Sequence, residues 1–108
     1  MFEIRQYTDR VGRSPFDRWF QTLDNFAQAK SVVSVDRLER AHVSAVKSVG
    51  SGVFKLRVDF GPGYRVYFGR DGERIVILLG GGTKKRQQVD IDAAQALWQE
   101  YKDRKREE

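Results

Sequence analysis

The sequence predicts an α+β fold with the order strand, helix, helix, strand, strand, strand, helix. Three observations predict it. Polar and apolar residues alternate near the N-terminus and again from Val53 to Phe68, the period of a strand with one buried face. Apolar residues recur at helical spacing after Ser14-Pro15, after Asp24 and after Asp90. Gly61-Pro62-Gly63 and Asp71-Gly72 break up the later strands with turn residues. The chain has 108 residues, enough for one modest core, so residues 1–108 are expected to form one domain with one main surface.

Phe2, Ile4 and Gln6 alternate with Glu3, Arg5 and Tyr7, giving a short first strand that ends near Tyr7. Ser14 caps a helix with Pro15 at its first position and Asp17 in its first turn. Phe16, Trp19, Phe20 and Leu23 then fall on one stripe, which assigns them to the core. Asp24 or Asn25 caps a second helix in which Ala29, Val32, Val35 and Leu38 recur every three residues. Arg40 to Gly52 has weak periodicity and ends in Gly50-Ser51-Gly52, so it reads as loop.

From Val53, Phe54, Leu56, Val58 and Phe60 alternate with Lys55, Arg57 and Asp59. After the Gly61-Pro62-Gly63 turn, Tyr64, Val66 and Phe68 alternate with Arg65 and Tyr67, and Asp71-Gly72 reads as a two-residue hairpin turn. Ile75 to Leu79 is apolar throughout and is expected to be covered on both faces. Gly80-Gly81-Gly82 reads as a flexible loop that carries Thr83-Lys84-Lys85-Arg86. Asp90 caps the last helix, with Ile91, Ala94, Trp98 and Tyr101 near one stripe and a charged tail, Lys102 to Glu108, expected to fray.

The chain carries 20 Lys plus Arg against 15 Asp plus Glu, a balance that favours a polyanionic partner such as RNA, DNA or an acidic protein segment. There is no cysteine, which excludes disulfides, thiolate metal sites and a cysteine nucleophile. The N-terminus lacks the apolar run of a signal peptide, and Ile75–Leu79 is too short to cross a bilayer, so a soluble cytoplasmic protein is expected.

If Arg70 and Glu73 flank the tight turn, Tyr67 lies opposite Val76 and Arg65 opposite Leu78. If Phe60 faces Tyr64, Arg57 lies opposite Tyr67 and Asp59 opposite Arg65. Lys55, Arg57, Arg65 and Tyr67 then share one cationic sheet face, with Lys84, Lys85 and Arg86 at its rim. Basic groups interleaved with a tyrosine suit phosphate contact and base stacking. Two plainer readings stand beside this one: Arg65 and Asp59 as a cross-strand ion pair, and Lys84-Lys85-Arg86 as a solvated turn. Cleavage of RNA by its own 2′-hydroxyl needs a base, cations for the charge developing at phosphorus and an acid for the 5′-oxygen. Lys84, Lys85, Tyr67 or Glu73 are candidates for proton transfer, and His42, in the irregular stretch, reads as a solvated loop histidine.

The block Leu56-Arg57-Val58-Asp59-Phe60-Gly61-Pro62-Gly63-Tyr64-Arg65-Val66-Tyr67-Phe68 resembles the signature stretch of RelE/ParE-superfamily toxins. More narrowly it resembles the phage-derived Gp49-like, HigB-like addiction-module killer proteins, in which an apolar strand, a glycine pair and a lysine-containing loop follow. Ser14-Pro15-Phe16 and Asp90-Ile91 also fit, so the resemblance covers nearly the whole chain. It implies a RelE-like fold, a small twisted antiparallel sheet with two N-terminal helices on one side and a concave basic face. It implies a ribosome-dependent messenger-RNA endoribonuclease that needs no metal or other cofactor. It also implies a cognate antitoxin, a small helix-turn-helix protein whose complex with the toxin binds operator DNA. By position, Arg65 matches the strand arginine that contacts the scissile phosphate and Lys84 the loop lysine. Lys85 is the further catalytic candidate, and Lys55, Arg57, Tyr67 and Arg86 are RNA-binding candidates. Within the superfamily, a toxin that poisons DNA gyrase is the alternative, and an inactive relic that only binds its antitoxin is another.

Overall fold

The computed structural model describes all 108 residues, Met1–Glu108. Strand β1 (Glu3–Gln6) leads into helices α1 (Pro15–Gln21) and α2 (Asn25–Glu39). Strands β2 (Val46–Gly50), β3 (Val53–Val58), β4 (Tyr64–Asp71) and β5 (Ile75–Thr83) follow, and a 3-10 turn at Lys84–Arg86 joins β5 to helix α3 (Gln87–Glu107). The α+β class is the one expected from the sequence. The five strands form one sheet in the order β1-β5-β4-β3-β2.

Both N-terminal helices start where their caps direct. The Ser14 side chain accepts a hydrogen bond from the Asp17 backbone N–H at 3.0 Å, and the Asp24 side chain accepts from that of Ala27 at 2.8 Å. Each cap satisfies a backbone donor that the helix leaves free and stabilises it by about 1 kcal/mol. The two helices cover one sheet face, where Phe16 and Leu38 pack on Leu56, Val58, Val66, Phe68, Val76 and Leu78. Helix α3 covers the other, where Ile91, Ala94 and Trp98 pack on Tyr7, Val53, Tyr67, Ile77 and Leu79. Val76 to Leu79 is accordingly buried on both faces, as its unbroken apolar run predicts.

Several expectations are corrected. The stretch read as loop contains β2, an edge strand paired antiparallel with β3; its ladder needs no hydrophobic alternation, because an edge strand buries only Val46 and Val49 in part. The sheet is mixed, since β1 lies parallel to β5 at the other edge. The buried positions of α2 are Ala27, Ser31 and Leu38, while Val32 is exposed. A strict three-residue repeat drifts around a helix of 3.6 residues per turn and cannot hold one face.

The three glycines are not a loop but the end of β5, and a close approach at one of them has a counterpart at a glycine of β4. Trp19 of α1 lies on Gly81, where an added Cβ would sit 2.3 Å from the indole, and Trp98 of α3 lies on Gly69, where it would sit 2.4 Å away. The tryptophans thus clamp the sheet from opposite sides through positions with no side chain.

Helix α3 begins at Gln87, so Asp90 lies in its first turn rather than at its cap. Its charged end does not fray but stays helical to Glu107. Tyr101 donates to Asp71 Oδ2 at 2.6 Å, Lys105 pairs with the same oxygen, and Arg104 Nη2 donates to the Thr8 carbonyl at 2.6 Å. Hydrogen bonds from Lys105 and then Tyr101 hold the Asp71 carboxyl below its ordinary pKa, while burial, reinforced by Asp71, pushes the Tyr101 hydroxyl up to about 12. No helix is long and apolar enough to cross a membrane.

Gly69→Ala is expected to lower stability by about 2–3 kcal/mol through overpacking against Trp98, measured by chemical denaturation. Asp71→Asn is expected to lower the melting temperature at pH 7. A depressed carboxylate stabilises the fold above the ordinary aspartate range and loses that contribution as pH falls. The gap between variant and wild type should therefore be constant above about pH 5 and close as the pH falls below about 4.

Candidate nucleic-acid interface

Lys55, Arg57 and Arg65 lie on the α3 side of the sheet because they alternate with Leu56, Val58 and Val66, which face α1 and α2. The pairing differs from the expected register. Val58 pairs with Tyr64, so Arg57 faces Arg65 and Lys55 faces Tyr67. Gly61 and Gly63 adopt left-handed conformations, φ +56° and +78°, and widen the turn until Asp59 and Phe60 leave the ladder. The slip is two residues, which changes partners and keeps faces. Asp59 consequently does not neutralise Arg65; its carboxylate pairs with Arg57 Nε at 3.1 Å.

The β4–β5 register is also shifted. Asp71 pairs with Ile75 across a three-residue turn that starts at Gly72, φ +72°, and a bulge at Tyr67/Phe68 adds one more residue. Tyr67 therefore lies opposite Gly80 and Arg65 opposite Gly82, not Val76 and Leu78. Glycines beside Arg65 leave room for the start of α3. A Cβ on Gly82 would sit 1.9 Å from Asp90 Oδ2.

The expected open cationic face is covered by that helix. Arg65 is only 6% exposed and Tyr67 only 1%. Tyr67 is thus core beneath α3, and its ring is not presented for base stacking as the sequence suggested. One residue that the sequence reading did not single out joins the cations: Gln87 Oε1 accepts from Lys55 Nζ at 3.0 Å and from Arg65 Nε at 3.2 Å. Arg65 Nη1 donates to the Tyr64 carbonyl at 3.2 Å, while Nη2 has no protein acceptor and is not sealed from solvent. Lys84 joins the group through Gly63: its backbone N–H donates to the Gly63 carbonyl at 2.7 Å. A Cβ on Gly63 would lie 3.5 Å from Lys84 Cβ and 3.4 Å from Arg65 Nη1.

No carboxylate forms a salt bridge with Lys55, Arg65 or Lys84, whereas eight other pairs are formed elsewhere. The Lys55 pKa is accordingly lowered, first by burial and then by the charges of Arg65, Lys47, Arg57 and Lys84. Beneath them the Tyr67 hydroxyl and Asp90 Oδ2 are buried without hydrogen-bond partners. Burial pushes the tyrosine up to about 12, with Asp90 adding to the rise and Arg65 opposing it, and burial also raises the Asp90 carboxyl. This is a group of like charges graded from buried Arg65 through part-buried Lys55 to exposed Lys84, in which the acceptor shared by Arg65 and Lys55 is a neutral amide, an arrangement that an anion would relieve.

The structure thus brings Lys55, Arg65 and Lys84 together. Arg57 is cross-strand from Arg65 but half-exposed and paired with Asp59, and Lys84, Lys85 and Arg86 are all exposed on the 3-10 turn at the rim. Glu73 lies in the β4–β5 turn, at the far end of β4 from Arg65. His42 is exposed after α2 and shares a surface cleft with Arg37, Arg57 and Asp59. No three His, Asp or Glu side chains come close enough together to hold a metal ion.

Residues 18–102 match the family described as Phage derived protein Gp49-like (DUF891). An uncharacterized protein of Haemophilus influenzae is 44% identical over 86 residues, covering 79% of this chain and 87% of that protein.

Proposed function

The chain belongs to the phage-derived Gp49-like family, a toxin–antitoxin-like group, and from that premise we propose that it is the toxin of a type II pair, related to RelE/ParE and HigB toxins, that cleaves messenger RNA on the ribosome. The observation that carries this reading is the meeting of Lys55, Arg65 and Lys84, none of which forms a salt bridge with a carboxylate. A backbone phosphate is the natural counter-charge for such a group. Arginine adds a rigid fork of donors suited to phosphate oxygens.

In the proposed reaction the 2′-hydroxyl passes its proton to water as its oxygen attacks phosphorus. The bond from phosphorus to the 5′-oxygen breaks, leaving a cyclic phosphate and a 5′-hydroxyl. Arg65 and Lys55 stabilise the negative charge that grows on the phosphorane oxygens, and this cationic stabilisation asks nothing of a metal or other cofactor. The ammonium of Lys84 or Lys85 at the rim gives a proton to the departing 5′-oxygen and regains one from water. Arg57 and Arg86 follow the RNA backbone on either side. The partners in this reading are the ribosome with its bound messenger RNA in the cytoplasm and a cognate helix-turn-helix antitoxin, whose complex with the toxin binds operator DNA.

Induction without the antitoxin, with labelled amino-acid and thymidine incorporation followed over the first minutes, tests the reading. Early loss of protein synthesis alone is expected, and Arg65→Ala should reduce messenger-RNA cleavage about a hundredfold or more while the variant still binds antitoxin. Early loss of DNA synthesis would assign the protein to gyrase poisoning instead, and loss of neither to an antitoxin-binding relic.

A further inference from the structure

We propose that the Gln87 side chain is an internal stand-in for a phosphate oxygen, a latch that closes the Lys55–Arg65 pair until a phosphodiester displaces it. The proposal rests on the phosphate-binding reading of the site and adds how access to it is controlled.

Gln87 Oε1 is a single oxygen that accepts from an ammonium at 3.0 Å and a guanidinium at 3.2 Å. A non-bridging phosphate oxygen makes the same contacts between the same two cations. The difference is charge. An amide oxygen is neutral overall and leaves Lys55, Arg65 and their neighbours Lys47, Arg57 and Lys84 mutually repelled. A phosphodiester brings a full negative charge, and charge-assisted bonds of that kind are shorter and about twice as strong. Exchange of the amide for phosphate therefore strengthens both contacts.

The segment that carries the latch is suited to release it. Helix α3 starts with Arg86 at its cap position and no side-chain cap. Lys84, Lys85 and Arg86 crowd positive charge at the helix end whose dipole is already positive, a local cost to which an arriving anion responds. Gln87 is only partly buried, and Arg65 Nη2 next to it is without a protein acceptor. Rotation about the Gln87 side-chain torsions moves the amide outward without unwinding α3. Trp98 and the Asp71–Tyr101–Lys105 cluster hold the rest of the helix in place.

The test is equilibrium binding of a short 2′-O-methyl RNA, which has no attacking hydroxyl, to the full chain at fixed salt. Gln87→Ala is expected to bind about fivefold or more tightly than wild type, because the competing acceptor is gone. Gln87→Met, similar in length and without the oxygen, should do the same. Gln87→Glu should bind more weakly than wild type, because a carboxylate makes charge-assisted bonds to both cations. A purely structural glutamine would shift these variants in one common direction. Unchanged or weaker binding by both Gln87→Ala and Gln87→Met overturns the latch even where Arg65→Ala abolishes binding. Binding that Arg65→Ala leaves intact overturns the phosphate reading beneath it, and the latch with it.

Discussion

A guanidinium as far removed from water as that of Arg65, 6% exposed, ordinarily lies beside a carboxylate. Here its acceptors are the Gln87 amide and the Tyr64 carbonyl, both neutral. The arrangement depends on α3 being held across the sheet, and most of what is distinctive in the sequence serves that end. Gly69 admits Trp98, Gly82 admits Asp90, and Asp71 ties down the far end through Tyr101 and Lys105. Apolar burial and this distal polar cluster offset the cost of covering Arg65 without a salt-bridge partner.

The same construction gives the two faces different work. On the α1–α2 face the contacts are apolar and aromatic, with Phe16 stacked near Phe20 and Trp19 edge-on to Tyr64. That face supplies stability and fixes the strand alternation that sends Lys55 and Arg65 to the opposite side. On the α3 face the core gives way, toward the start of the helix, to the charged cluster and the unpartnered oxygens of Tyr67 and Asp90. Polar burial that is incompletely satisfied is costly to folding and accumulates where a ligand is to be met.

Phe16, Trp19 and Phe20 of the α1 stripe, the α1 and α2 caps, the doubly buried run at Val76–Leu79 and the strands around Arg65 were legible in the sequence, because each rests on a local period or cap, whereas Leu23, read on the same stripe, lies past the end of α1 and outside the core cluster. The facing of Lys55 and Arg65 was legible for the same reason. Their partners were not, since left-handed Gly61, Gly63 and Gly72 in the turns and the bulge at Tyr67/Phe68 within β4 set the register. Strand β2 was hidden because edge pairing leaves little hydrophobic signal. Gln87 and Asp90 were hidden by a different cause: a glutamine in a polar run says nothing of what it will accept from, and an aspartate near a helix start reads as a cap. The covering of the cationic face follows from α3 packing back on the sheet, a long-range contact that no local pattern records.

The central claim is that the Lys55–Arg65–Lys84 cluster beneath the start of α3 is the surface that receives RNA. Backbone amide chemical shifts of the labelled protein, followed during titration with a non-cleavable single-stranded RNA, test it most directly. The account predicts the largest changes at Lys55, Arg65 and Lys84–Gln87, weakening as salt is raised. Changes confined to the outer faces of α1 and α2, with these residues unmoved, would contradict it.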